Sequence, residues 1–247
     1  MSHIHLPDGV LSPFWWISSF AFCFLLLWFF ARRIQGDEAR KKIPFVGVIG
    51  ALMLIFMSIP LGFLPVHLSL AVLCGILAGP SLSFIAVFVV NTILALMGHG
   101  GFTTIGINTL LMGGEAIVGY YLFKAVSIKM NYSFSAITAN VIALLLSTVL
   151  MVLIVGSAAG LMDALPIHDH HHQNASHNYE DISEDIFHHE EHTDDELESI
   201  KFLSFTGWSA VLIIILSGIL IESLVTGLIV RFFSKVRPDF LNSAHST

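Results

Sequence analysis

Charge is scarce in this sequence. Only 12% of its 247 residues are Asp, Glu, Lys or Arg, against 55% hydrophobic, and the mean hydropathy is +0.81. An ordinary soluble domain carries about twice that share of charge, so the soluble globular class is excluded. Cysteine is scarcer still: Cys23 and Cys74 both sit inside apolar runs, which leaves no disulfide framework and no Cys-rich metal site. No Gly-x-x-x-x-Gly-Lys-Ser/Thr loop is present, nor an acidic pair at P-type ATPase spacing, nor a nucleophile with a readable base. The chain is therefore not read as an enzyme, and any transport it performs draws energy from another subunit. The two halves do not repeat, which weakens an inverted-repeat secondary carrier. No basic stripe or stacking motif argues for nucleic acid. A basic flank before the first apolar run is also missing, so no removed signal peptide is read.

What the chain has is apolar length. A bilayer-spanning helix needs about 20 apolar residues, and the runs here predict a single membrane domain, 1–247, of about seven transmembrane helices. Phe14 to Ala31 is the first, with Trp15 and Trp16 as interfacial anchors. Five of the eleven basic residues follow within 32–42, before the run Phe45 to Leu64. Leu68 to Pro80 is short, hence tilted, re-entrant or sheltered by its neighbours. Leu82 to Met97, Ile105 to Val126, Phe134 to Met162 and Phe202 to Phe233 complete the set. Lys and Arg concentrate at 32–42, 124–129 and 231–237, so these segments are assigned to the cytoplasm. The amino terminus is then external and the carboxyl terminus cytoplasmic, in a multi-pass protein of the cell (inner or plasma) membrane.

Twelve of the thirteen histidines fall on the external side of that topology. His3 and His5 precede the first span, His67 follows the second, His99 follows the fourth, and eight lie between Asp163 and Glu198 with twelve acidic residues and no Lys or Arg. Neutral imidazole is the commonest protein ligand for late first-row divalent metals. At the amino terminus, a free amine, amide nitrogens and imidazoles make a compact nitrogen chelate suited to Ni(II) or Cu(II). Residues 1–12 are either a solvated tail or an external metal-binding terminus, with Met1, Ser2, His3 and His5 as the candidate donors. The external loop 164–200 is low-complexity and expected to be disordered. Its His168, His170, His171, His172, His188, His189 and His192 gather ions as an accessory tether. Inside the spans, Glu115 and Glu222 are costly and hence functional candidates, with helix–helix hydrogen bonding as the bland alternative. The residue count places neither at the external mouth.

These residues resemble a known family. His5-Leu6-Pro7-Asp8-Gly9-Val10-Leu11-Ser12 is similar to the amino-terminal signature of the CbiM/NikM proteins, the substrate-capturing membrane components of energy-coupling-factor cobalt and nickel transporters. Pro65-Val66-His67-Leu68 with Leu77-Ala78-Gly79-Pro80 resembles that family's histidine segment. Gly100-Gly101-Phe102-Thr103-Thr104-Ile105-Gly106-Ile107-Asn108, followed by Met112-Gly113, resembles its Gly-Gly-x-Thr-x-x-Gly-x-Asn stretch. The resemblance implies that the amino terminus folds into the outer face and binds the ion with a histidine matching His67. It also implies partners: a small accessory membrane subunit, a transmembrane coupling subunit and cytosolic ATPase subunits. Ni(II) or Co(II) is then transported substrate and not a cofactor.

Three extra residues, Ser2-His3-Ile4, separate Met1 from the signature histidine, His5. With Met1 removed, Ser2 is the terminus and His3 the second residue; with Met1 kept, His3 is third. His67 leads the ligand set, followed by His5 and His3, with His99 as a further donor and Asn108 and Thr103 orienting the loop. The competing readings are a stand-alone divalent metal channel or carrier, zinc included, and a metal-sensing receptor.

Overall fold

The computed structural model describes residues 12–34, 37–59, 67–159, 208–237 and 241. Seven helices are found among them: α1 Pro13–Arg33, α2 Asp37–Ser58, α3 Ala71–Ala78, α4 Pro80–Leu96, α5 Ile105–Val126, α6 Tyr132–Ala159 and α7 Trp208–Val236. Each sits on one of the apolar runs, and local chemistry sets its bounds. Proline opens α1 and α4, at the position where its missing N–H would be unpaired anyway. Pro80 therefore begins α4 and does not end the preceding run. Arg32 and Arg33 close α1, with their guanidinium carbons 3.8 Å and 4.4 Å from the ring centroids of Trp28 and Phe29. α2 starts well before its apolar run, so the backbone of 37–42 is already helical.

The short run proves to be the centre of the molecule. α3 has only eight residues, about 12 Å of helix, too little to cross a hydrocarbon core of about 30 Å unaided. Every one of its residues is buried. It packs against α2, α4, α5, α6 and α7, which is the sheltered alternative among the three expected for it. Glycine makes this shelter close. A methyl group at Gly75 would overlap the backbone carbonyl of Ala116 on α5, and one at Gly119 would strike Val72. Gly113 likewise lies against Phe84, whereas its neighbour Gly114 faces open space, so only half of that glycine pair serves helix packing.

Polar bonds tie the remaining helices together. Asn91 on α4 donates to Thr109 on α5 at 3.3 Å, and Asn140 on α6 donates to Ser223 on α7 at 3.0 Å. Ser133 donates to the carbonyl of Gly227 at 2.9 Å, where glycine lets α6 and α7 approach. Aromatic contacts Phe24–Phe88 and Phe30–Phe84 join α1 to α4.

The outer faces are apolar. Phe22, Leu25, Trp28, Leu146, Leu153, Leu220 and Leu228 are all exposed, although side chains of this size are normally buried in water-soluble proteins. Three helical segments are long and apolar enough to cross a bilayer: Pro13–Arg33, Tyr132–Ser157 and Leu212–Val236. Two shorter apolar ones, Lys42–Ser58 and Pro80–Leu96, stand beside them. The chain is an all-α polytopic membrane protein.

The α3–α5 contact yields a stability prediction. Gly75→Ala should destabilise the fold by about 1–3 kcal/mol, the usual cost of forcing an extra carbon into a packed interior. Thermal unfolding of the detergent-solubilised protein reads this directly. An unchanged midpoint would contradict the close approach of the two helices.

Candidate metal-capture mouth

Between α2 and α3 the chain runs through His67, Leu68, Ser69 and Leu70 before helix begins. The last three are fully buried or nearly so, while His67 is half-buried with its Nδ1 atom sealed from solvent. Leu70 adopts φ 54°, the sole left-handed non-glycine residue among those described. An L-residue pays about 1–2 kcal/mol for that conformation, so something must hold the turn in place.

The holder is Glu222 of α7. Its Oε1 accepts the Ser69 hydroxyl at 2.7 Å and the Leu70 N–H at 3.2 Å, and its Oε2 accepts the Ser69 N–H at 3.2 Å. Ser69 Oγ in turn accepts the Ala71 N–H at 3.2 Å and lies 3.4 Å from Oε1 of Glu115 on α5. Both carboxylates had been placed away from the mouth by counting residues along their helices. Both carboxylates meet Ser69, two residues from His67. The one signal in the sequence was the rarity of intramembrane carboxylates; nothing in it paired Glu222 with Ser69.

The second loop lies at 97–104. Gly98 and Gly100 have φ of 80° and 99°, which glycine adopts without strain, and no atom lies within 4 Å of a methyl group placed at Gly98. The irregular backbone at Gly98 thus comes from conformational freedom, not from close approach. His99 is exposed, its backbone N–H bonded to the Leu94 carbonyl at 2.8 Å. Thr104 donates to the Gly101 carbonyl at 3.0 Å, and Asn108 Nδ2 lies 3.4 Å from Thr104 Oγ1. Thr103, the residue selected from sequence with Asn108, is half-buried one position earlier.

Electrostatics link the two loops. Burial is the main cause holding the His67 imidazole below the ordinary histidine pKa, and the charge of His99 lowers it further, against a hydrogen bond with the Ile59 backbone. A lowered value keeps His67 neutral at pH 7, with a lone pair available to a metal. The unfolded chain takes up protons first as pH falls, so this contribution to folding is present above the ordinary histidine range and lost as pH falls through the folded value.

Met1, Ser2, His3 and His5, and the loop histidines His168, His170, His171, His172, His188, His189 and His192, lie outside the described residues. Among those described, no three His, Cys, Asp or Glu side chains gather as a metal cluster.

An apolar-faced helical bundle with a half-buried imidazole at the head of a sheltered segment defines a polytopic membrane protein with a candidate metal-capture mouth. Residues 5–240 match the CbiM family, the cobalt uptake substrate-specific transmembrane region, and the chain belongs to that family. It is a metal-transport membrane protein, related to CbiM/NikM components and not an enzyme. It is 32% identical over 131 residues to the cobalt transport protein CbiM of Sorangium cellulosum, covering 49% of this chain and 57% of that one. A provisionally named fused nickel transport protein, NikMN, of Archaeoglobus fulgidus is 30% identical over 175 residues, covering 66% of this chain and 57% of its own. The chain thus spans somewhat more than half the length of these two relatives. The crystal structure of a transition metal transporter shares the fold, with a TM-score of 0.64, 22% identity, and coverage of 98% of this chain and 96% of the other.

The electrostatic link is testable without metal. In the metal-free protein, the His67 imidazole should titrate below a free histidine by NMR. His99→Ala should raise the His67 value. A His67 titration indistinguishable from free histidine would contradict the burial described above.

Proposed function

We propose that the chain captures Ni(II) or Co(II) at its external face and passes the ion inward as the substrate-specific component of an ATP-driven energy-coupling-factor transporter. One observation carries this reading: His67, half-buried with its Nδ1 sealed from solvent, heads the extended stretch that leads into the wholly buried α3. A ligand so placed meets an ion arriving from one face and leads it toward the core.

His67 is the central donor in this reading. The amino-terminal amine and an amide nitrogen, from Met1 or Ser2, join it with the imidazole of His3 or His5, and His99 stands by as a further donor. Nitrogen donors of this kind favour late first-row ions over Mg(II) or Ca(II). Asn108 and Thr103 keep the 98–104 loop in register beside the site. The His/acid segment 164–200 concentrates ions without selecting them. Nickel and cobalt are the ions named for the fused transporter and the CbiM protein that the chain resembles.

The membrane arrangement follows the same logic. A single membrane domain crosses seven times, with the short α3 and the extended 68–70 segment together serving as one passage. Basic residues at the ends of α1, α5 and α7, namely Arg32, Arg33, Lys124 and Lys235, then share the cytoplasmic side. The amino terminus is external and the carboxyl terminus cytoplasmic. A small accessory membrane subunit, a transmembrane coupling subunit and cytosolic ATPases are the partners, since the chain carries no nucleotide loop of its own.

His67→Ala should reduce Ni(II) bound per purified chain to near background, measured by equilibrium dialysis on protein lacking residues 164–200. Unchanged stoichiometry in that background would refute the role of His67. Reconstituted alone in liposomes, the chain should take up no metal without ATPase partners. Rapid gradient-driven uptake would instead favour the stand-alone channel or carrier.

A further inference from the structure

The 67–70 segment poses a problem that its own backbone does not solve. Leu68, Ser69 and Leu70 are buried and not helical, so the amides of Ser69 and Leu70 need acceptors from elsewhere in the protein. Both are bonded to one carboxylate, Glu222, whose side chain is fully buried and comes from the last helix, 153 positions away from Ser69. The Ser69 hydroxyl adds a third bond to the same group. Leu70 is left-handed at this point, a conformation that non-glycine residues hold where the surroundings determine it. His67 lies two residues before this anchor.

We propose that Glu222 is a positioning residue for metal capture, fixing the direction in which His67 enters the mouth. This rests on the reading that His67 takes the ion. The carboxylate suits the task because it offers acceptors on both oxygens to two successive N–H groups and a hydroxyl. An amide at the same place offers one oxygen, and turns an N–H₂ donor toward a backbone donor. The turn at Leu70 is then released and His67 loses its fixed approach. Because Glu222 belongs to α7 and Ser69 also lies beside Glu115 of α5, the same anchor joins the mouth to two long helices.

The experiment uses the detergent-purified full chain, Ni(II) titrated by calorimetry, and the visible spectrum of the bound Ni(II), which reports its ligand geometry. Glu222→Gln should keep its helical circular dichroism and its Ni(II) stoichiometry, weaken Ni(II) affinity by about 10-fold, as loss of an outer hydrogen-bond partner does at metal sites, and alter the spectrum. Glu222→Asp, which keeps both oxygens, should recover part of that loss. Ser69→Ala, which leaves the two backbone bonds intact, should weaken binding less and decides the matter if Glu222→Gln does not fold. Wild-type affinity and spectrum in Glu222→Gln, or wild-type affinity in Ser69→Ala where that variant decides, would overturn the proposal. The capture reading would stand in that event, provided that His67→Ala still abolishes binding. Normal binding by His67→Ala would instead remove the capture reading, and this proposal with it.

Discussion

Backbone amides in a hydrocarbon environment must find their partners inside the protein, and helices normally supply them. Residues 67–70 interrupt that supply at the middle of the bundle, where Leu68, Ser69 and Leu70 are buried. Much of the architecture around them follows from this constraint. A carboxylate is brought into the core because it can accept several N–H and O–H groups at once, and its desolvation is offset by charge-assisted hydrogen bonds. α3 can be short because its neighbours, not its own length, shield it from lipid. Glycines at 75 and 119 let α5 come close enough to provide that shield.

The same constraint orders the functional face. A short buried helix entered through an extended segment leaves a polar residue at the head of that segment, and here the residue is His67. Burial then favours the neutral imidazole, the form in which a histidine can ligate a metal. In this account, capture and fold are not separate designs. The bonds that make the extended segment tolerable in an apolar core also hold the donor at its end.

Much of the helical framework was legible in the sequence because apolar length is a direct physical signal, and all seven runs carry helices among the described residues. The boundaries were less legible. The basic residues of 32–42 precede the apolar run at Phe45, yet the backbone is already helical from Asp37, since Glu, Arg and Lys are good helix formers. Pro80 read as a terminator, but proline serves equally well to start a helix. At the mouth, His67 and the glycine-rich turn could be selected from residue chemistry and resemblance. Glu222 could be flagged only as an expensive residue in a span. Its partner lies more than 150 positions away and binds partly through backbone atoms, which carry no sequence signature. Family membership across residues 5–240 supports the wider reading of the chain as a metal-transport protein.

The most direct test of the account is X-ray absorption spectroscopy on the Ni(II)-loaded full-length protein. The bound Ni(II) should show a first shell dominated by nitrogen with imidazole scattering from at least two rings, one of them lost on replacing His67 with alanine. An oxygen-rich shell of carboxylate and water, unchanged by that replacement, would contradict it.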